Sequence, residues 1–221
     1  MRISKSPADG ILRRGDLPLP RYTLTMGVAL LKEPPFTFSS EPGPYRREDY
    51  DQLPDEPRCE LIFGRFHLSP SPSVLHQVVL GLFFEALNRI ADASGGLALM
   101  APLDVILADH SIVQPDLIYV SSDRRSIVRE RIEGTPDLLV EILSRGTARR
   151  DRGEKLALYL ASGVREYWIV DPIERQIEFL VEREGRFTVA LPTGVEYISE
   201  TQPEIRLDVA AFWQRVEDKL G

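Results

Sequence analysis

Two carboxylates stand inside apolar runs of the sequence, where an ionised side chain is unexpected. Glu141 interrupts PDLLVEILS, and Asp116 interrupts VQPDLIYVS. Burying an unpaired carboxylate costs several kcal/mol, so each acid needs a cation, a basic side chain or a proton. The stretch between them is long enough for neighbouring strands to bring both to one side. With the backbone carbonyl of Ile142 and water, they would form an oxygen-rich site suited to Mg²⁺ or Mn²⁺. An ordinary salt-bridged acid is the alternative for each.

A lysine follows the two acids on a predicted helix. Asp151, Lys155 and Tyr159 recur every fourth residue in RRDRGEKLALYLASG and therefore share one helix face. If that face looks back at the carboxylates, Lys155 could orient or deprotonate an attacking water, or neutralise charge on a phosphate. Tyr159 could donate a hydrogen bond there. The alternative is a charged, solvated helix face.

Two further residues complete the candidate catalytic set. Glu60 opens the apolar run ELIF and could be a third acid, although an edge-strand acid facing solvent is equally compatible with the pattern. His76 stands at the start of the first long predicted helix, where it could be a ligand or proton carrier. A residue that makes only local hydrogen bonds is the alternative for His76.

The charge balance limits how the chain could meet nucleic acid. With 27 basic and 34 acidic residues, the formal net charge is -7, which is the wrong sign for coating nucleic acid. Any DNA contact must be local. The basic run beside the candidate site predicts phosphate contacts from Arg149 and Arg150, with Tyr159 as a third, and a solvated surface is the alternative.

Composition and missing motifs exclude several classes of protein. The single cysteine, Cys59, cannot form an internal disulfide or a thiolate-rich metal site. The sequence has no nucleophile elbow, P-loop, dinucleotide fingerprint or zincin motif. It also shows no uninterrupted apolar run of membrane-helix length and no signal-peptide block at its start. We therefore expect a cytoplasmic protein without a membrane segment.

The order of predicted elements favours an α/β fold with a mixed sheet flanked by helices. Residues 1–44 are rich in Pro, Ser and Gly and are predicted to be a poorly ordered leader, and residues 45–221 to be one domain. We expect a short helix in YRREDYDQLPDE, a hairpin around Gly64, and helices over 74–93 and 209–220. ALMAPLDVIL, VQPDLIYVS and PDLLVEILS are each predicted to be one strand.

Several blocks of the sequence resemble the Uma-two family of bacterial endonucleases. The resemblance lies in CELIFGRFHLSPSPSVLHQ, APLDVIL, VQPDLIYVS, EGTPDLLVEILS and RRDRGEKLALYLASGVREYWIVDP, in the family order, over about residues 48–212. It implies a restriction-endonuclease-like core of the PD-(D/E)xK type, with Asp116 and Glu141 as the metal-binding acids. The resemblance also supports a role for Glu60, His76 and Lys155 in the site. Leu143 stands where that nuclease pattern has its lysine, so Lys155 is the predicted replacement.

The resulting hypothesis is Mg²⁺-dependent hydrolysis of DNA by a homodimer. Asp116 and Glu141 would hold the metal, and Lys155 would assist the attacking water. A nuclease-like fold without catalysis, acting as a nucleic-acid-binding or assembly module, is the alternative, and Leu143 and the acidic surface favour it. The two differ over whether the three side chains converge beside basic residues.

Overall fold

A computed structural model describes residues 42–54 and 56–221 of the chain. Its strands are β1 (Cys59–Ile62), β2 (Arg65–Leu68), β3 (Leu97–Met100), β4 (Val105–Ala108), β5 (Ser111–Val113), β6 (Leu117–Val120), β7 (Ile132–Glu133), β8 (Leu138–Ile142), β9 (Glu166–Asp171), β10 (Gln176–Arg183), β11 (Arg186–Ala190), β12 (Glu196–Ile198) and β13 (Arg206–Asp208). Its α helices are α1 (Arg47–Tyr50), α2 (Val74–Ser94), α3 (Ala148–Arg150), α4 (Leu156–Ala161) and α5 (Val209–Leu220). A 3₁₀ helix covers Ser122–Ile127, and a π turn, Asp151–Lys155, joins α3 to α4.

The strands form two larger sheets and one hairpin. The six-stranded sheet has the order β11-β10-β9-β8-β6-β3, the five-stranded sheet has the order β2-β1-β5-β4-β7, and β12 pairs with β13. In the six-stranded sheet β8 and β9 are parallel while the other pairs are antiparallel. The predicted mixed sheet is therefore confirmed.

Two apolar cores lie on opposite faces of the six-stranded sheet, and strand β8 divides its side chains between them. Leu138, Val140 and Ile142 join the core formed with α2 and α5. Leu139 and Leu143 join the core formed with α4 and the five-stranded sheet. Side chains alternate along a strand, so Glu141 points to the α4 face, as the sequence pattern predicts.

Helix α2 is the core helix of the first of these layers. The Ser73 hydroxyl accepts a hydrogen bond from the backbone N–H of His76 at 3.2 Å, and Gly95 ends the helix with φ +74°. By length and composition, α2 is the one helix in residues 42–54 and 56–221 that could cross a membrane. It buries Val79, Phe83 and Leu87 in the core on that side of the sheet, as a core helix does.

Two of the predicted strands are wrong, because each is divided between the two sheets. ALMAPLDVIL contains most of β3 and most of β4, separated by Ala101–Asp104, and VQPDLIYVS contains the end of β5 and all of β6. Proline has no N–H for a sheet ladder, so Pro102 and Pro115 end one run and let the chain change sheets. The hairpin around Gly64 and helix α5 are confirmed.

The two ends of the domain differ from the prediction in detail. Helix α1 is shorter than the predicted helix, and β12 and β13 fill the connection that was expected to be irregular. The predicted leader lies outside the described residues up to position 41. From there Gly43 donates to the carbonyl of Phe63 at 2.7 Å. A Cβ on Gly43 would lie 2.3 Å from the carbonyl oxygen of Gly64, so chain packing begins before position 45.

Candidate active site

The pairing of β6 with β8 brings the two predicted acids side by side. Leu117 pairs with Val140 and Ile118 with Leu139, so one step further along the register Asp116 stands opposite Glu141. The Oδ2 atom of Asp116 accepts a hydrogen bond from the backbone N–H of Ile142 at 2.7 Å. In an extended strand the C=O of a residue points to the same side as its N–H. The carbonyl of Ile142 therefore faces the two acids.

Lys155 is buried against three carboxylates. Its Nζ lies 2.7 Å from Glu141 Oε1, 2.8 Å from Glu60 Oε1 and 3.9 Å from Asp151 Oδ1. The π turn spans Asp151–Lys155 and presents both of its end residues to the sheet. Only 3% of the Lys155 side chain is exposed, so the alternative of a solvated helix face is wrong.

Burial and neighbouring charge shift the pKa values of this cluster. Burial acts to lower the pKa of Lys155, but attraction from Glu141, Glu60 and Asp151 outweighs it and raises the pKa above the usual lysine value. Burial raises the pKa of Glu141 well above the usual value, and the charge of Lys155 opposes that shift only in part. Lys155 is thus held as an ammonium group beside an acid that burial favours in its neutral form.

Glu60 is an interior residue, because β1 lies between β2 and β5. Its Oε1 accepts from the backbone N–H of Gln114 at 2.8 Å and is the same atom that contacts Lys155. With 1% of the residue exposed, the interpretation as a solvent-facing edge acid is wrong. The other carboxylate oxygen, Oε2, has no hydrogen-bond partner within the described part of the chain, and Arg150 Nη2 lies 3.6 Å away.

His76 contacts the first acid directly. Its Nε2 lies 3.1 Å from Asp116 Oδ2, and because a carboxylate accepts, Nε2 carries the proton. The backbone of His76 makes the local capping bond at the start of α2, while its side chain crosses to Asp116. Asp116 Oδ2 is therefore fixed by two donors, His76 and the backbone of Ile142.

Tyr159 orients the second acid. Its hydroxyl donates to Glu141 Oε1 at 2.6 Å, and the side chain is fully buried. Burial, followed by the charge of Glu141, raises the pKa of Tyr159 well above its usual value. The structure speaks against Tyr159 as a phosphate contact, because its one donor is used by Glu141 and it has no exposed surface.

The two arginines predicted to contact phosphate lie in different environments. Arg150 lines the pocket above the carboxylates, and its Nη1 donates to the carbonyl of Leu68 at 3.2 Å. Arg149 is exposed on the neighbouring surface. Arg150 is therefore the basic group nearest the acids on this helical segment after Lys155.

Leu143, at the position where the nuclease pattern has lysine, belongs to the apolar core. It is 6% exposed and lies in the cluster that contains Leu158 and Tyr159. A lysine at that position would bury its ammonium group among apolar side chains. Lys155 delivers the ammonium group to Glu141 from the helical side instead.

The oxygens at the pocket fit a divalent cation. No hydrogen bond from a described residue reaches Asp116 Oδ1 or Glu141 Oε2, whereas the other oxygen of each acid is bonded. A cavity of about 90 Å³ lies over both acids and the Ile142 backbone, with room for a cation and a few waters. Asp116, Glu141 and the backbone carbonyl of Ile142 are the metal ligands that the sequence predicts. Among the described residues, no three or more His, Cys, Asp or Glu side chains are arranged so that they could hold a metal ion together.

The charges of the side chains that line this pocket are also compatible with a bound divalent cation. Four carboxyl groups line the pocket, those of Glu60, Asp116, Glu141 and Asp151, and among the described residues two arginine or lysine side chains, Arg150 and Lys155, lie within 4 Å of them. The excess must be neutralised by protons on the buried acids or by a cation, and a divalent ion carries the required charge.

Sequence reasoning missed two residues at this pocket. Gln114 and Arg58 both line it, and Gln114 is hydrogen-bonded to Glu60 through its backbone. A polar residue immediately before Pro115 and Asp116 was the available signal for Gln114. Arg58 precedes β1 and carries no signal beyond its charge.

Replacing Tyr159 by Phe is expected to lower the free energy of unfolding by about 1–3 kcal/mol, because the buried hydrogen bond from its hydroxyl to Glu141 is removed. Urea unfolding of the wild type and the variant measures this change. Tyr45 is 44% exposed, so Tyr45→Phe is the matched control and should change stability by less than about 0.5 kcal/mol. Equal changes in the two variants would show that the Tyr159 hydroxyl does not support Glu141.

The chain is similar to known proteins in both sequence and fold. The sequence profile of a family named Uma2, with the description "Putative restriction endonuclease", matches residues 47–210. A crystal structure described as "a putative nuclease belonging to DUF820" from Anabaena variabilis aligns with a TM-score of 0.66 and 19% identity. The alignment covers 78% of this chain and 99% of that one, and at this identity it shows a shared fold. No curated protein matches the chain.

Proposed function

The chain belongs to the Uma-two family of restriction-endonuclease-like proteins, and from this premise we propose that it is an endonuclease that hydrolyses DNA phosphodiester bonds with Mg²⁺ or Mn²⁺. The observation that carries the proposal is the register of β6 and β8, which sets Asp116 against Glu141. Each acid offers one oxygen to a small pocket, and Lys155 lies beside them.

Asp116, Glu141 and the carbonyl of Ile142 would hold the metal, leaving its remaining positions to water and a phosphate oxygen. When bound, the metal supplies a Lewis acid and lowers the pKa of water. These ligands are fixed before substrate arrives. His76 and the backbone N–H of Ile142 bind Asp116 Oδ2, while Tyr159 and Lys155 bind Glu141 Oε1.

Lys155 acts as a positioned positive charge at the edge of the pocket. Its ammonium group can donate to the attacking water or to a phosphate oxygen, and its charge opposes the negative charge that develops on the phosphate. Glu60 keeps the ammonium group in place by a second short contact of 2.8 Å. Glu60 is therefore a positioning residue in this proposal.

DNA would be held by local positive charge. The chain is acidic overall, but Arg58 and Arg150 line the pocket and Arg149 lies on the surface nearby. Two copies of the site related by a two-fold axis could cut both strands of a duplex, so the proposal includes a homodimer. Sedimentation velocity tests the dimer independently of activity.

The test is cleavage of supercoiled plasmid and of short single- and double-stranded DNA by the wild type with Mg²⁺, Mn²⁺ or EDTA. We expect nicked or linear products with either metal and none with EDTA. Binding that weakens steeply with salt, without cleavage under any metal, would favour the non-catalytic nucleic-acid-binding module. Absence of both binding and cleavage would leave the assembly module.

A further inference from the structure

A second cavity adjoins the carboxylate pocket and takes no part in the chemistry described above. It measures about 340 Å³, and Arg58 and Gln114 line both cavities. Its lining residues are Tyr50, Leu53, Pro54, Glu56, Arg58, Cys59, Pro102, Asp104 and Gln114. The two cavities therefore share a wall.

The two cavities differ in size, and each has room for a different part of a nucleotide. At about 90 Å³, the carboxylate pocket holds a cation and water but no base. The second cavity lies within the range of about 300–1,000 Å³ that small-molecule sites occupy. A base and sugar attached to a phosphate at the carboxylates would find space in the second cavity.

A hydrogen-bond network fixes the orientation of Gln114 in the shared wall. The Asp104 Oδ1 atom accepts from Tyr50 Oη at 2.8 Å and from Gln114 Nε2 at 2.9 Å. A carboxylate can only accept, so the amide nitrogen of Gln114 must face Asp104. The remaining amide oxygen, Oε1, is buried and has no hydrogen-bond partner within the described part of the chain. An unpaired buried acceptor is costly and calls for a donor from a ligand or water.

Arg58 supplies a charge at the junction of the two cavities. Within residues 42–54 and 56–221 its guanidinium group has no ion-pair partner. A guanidinium group binds phosphate oxygens through paired, charge-assisted hydrogen bonds. Leu53 and Pro102 add apolar surface to the cavity, against which a flat ring can pack.

From these features we propose that the second cavity is a nucleoside subsite, which takes the base and sugar next to the cleaved bond. Arg58 binds the linking phosphate, and Gln114 Oε1 accepts a hydrogen bond from an N–H of the base. The inference rests on the proposed nuclease function and specifies its substrate. The nucleotide in this subsite lies outside the base stack, either in a single strand or extruded from a duplex.

The single cysteine of the chain provides a test that does not depend on activity. Cys59 lines the second cavity, so a bound nucleotide should slow its alkylation. The full-length wild type is treated with N-ethylmaleimide at mildly alkaline pH, because burial raises the pKa of the thiol. Intact-mass spectrometry follows the reaction with increasing deoxyadenosine 5′-monophosphate, without metal. We expect saturable protection, and about tenfold weaker apparent affinity in Arg58→Ala.

Arg89→Ala is the matched control, since Arg89 lies exposed on α2 and pairs with Glu85, and it should retain wild-type protection. If Cys59 reacts too slowly to follow, fluorescence titration with 2-aminopurine deoxyriboside 5′-monophosphate measures the same binding. Unchanged labelling, or no fluorescence change, at millimolar nucleotide would overturn the subsite. Cleavage of DNA without protection would refute the subsite alone, and protection without cleavage would refute only the nuclease proposal.

Discussion

Glu141→Gln is expected to lower Mg²⁺-dependent DNA cleavage at least about a hundredfold while the fold is kept. The substitution preserves the shape of the side chain and removes its charge, so one of the two acidic ligands proposed for the cation is lost. The fold should tolerate a neutral side chain here, because burial already raises the pKa of Glu141 and favours its neutral form. Asp116→Asn should give the same loss of cleavage by removing the other acid.

Calcium provides a measure of the same site that does not depend on turnover. A ligand bound only by the folded state stabilises it by about 2.7 kcal/mol at a hundredfold excess over its Kd. Thermal unfolding of the wild type should therefore shift upward with Ca²⁺, and that shift should be lost in Glu141→Gln and Asp116→Asn. Glu133→Gln is the matched control, because Glu133 is 48% exposed and pairs with Arg47 away from the pocket.

Two outcomes would contradict the assignment of the acids. Cleavage by Glu141→Gln at the wild-type rate would show that Glu141 holds no catalytic metal. A calcium-dependent shift that persists in both Glu141→Gln and Asp116→Asn would move the cation to other oxygens. Glu60 Oε2 and Asp151 Oδ1 would then be the next candidates, since each is buried without a hydrogen-bond partner among the described residues.

The parts of the site that follow from local periodicity could be predicted from the sequence. Strand alternation predicted that Glu141 and Val140 lie on opposite faces of the sheet. The spacing of four residues predicted that Asp151, Lys155 and Tyr159 share one face of the helical segment. An apolar run that contains an acid needs a partner for that acid, whatever the fold. Those arguments require no knowledge of which strands are neighbours.

Features that depend on non-local pairing could not be predicted in the same way. From the local sequence Glu60 is compatible with an edge strand, because the sequence does not show that β5 pairs with β1. The run around Pro102 reads as one strand, because no local signal tells that its two halves belong to different sheets. The second cavity arises where α1, β1 and the loop before β4 meet, and these segments are far apart in sequence. Its polar lining therefore carries no periodic signal.

Lys155→Met is expected to lower the free energy of unfolding by about 3–5 kcal/mol, the usual cost of removing one partner from a buried ion pair. Methionine keeps much of the apolar stem but leaves Glu60, Glu141 and Asp151 without their common cation. Urea unfolding measures the loss. The other lysine in the described part of the chain, Lys219, is exposed on α5, and Lys219→Met should change stability by less than about 0.5 kcal/mol.

A second substitution separates the structural role of Lys155 from its proposed role in cleavage. Adding Glu60→Gln to Lys155→Met removes one of the uncompensated charges, so the double variant should recover part of the lost stability. It should recover no cleavage, because the ammonium group proposed to face the attacking water is still absent. Cleavage restored together with stability would mean that Lys155 only supports the fold. A single variant as stable as the wild type would mean that the acids are neutralised by protons, since three ionised carboxylates could not remain buried without the lysine.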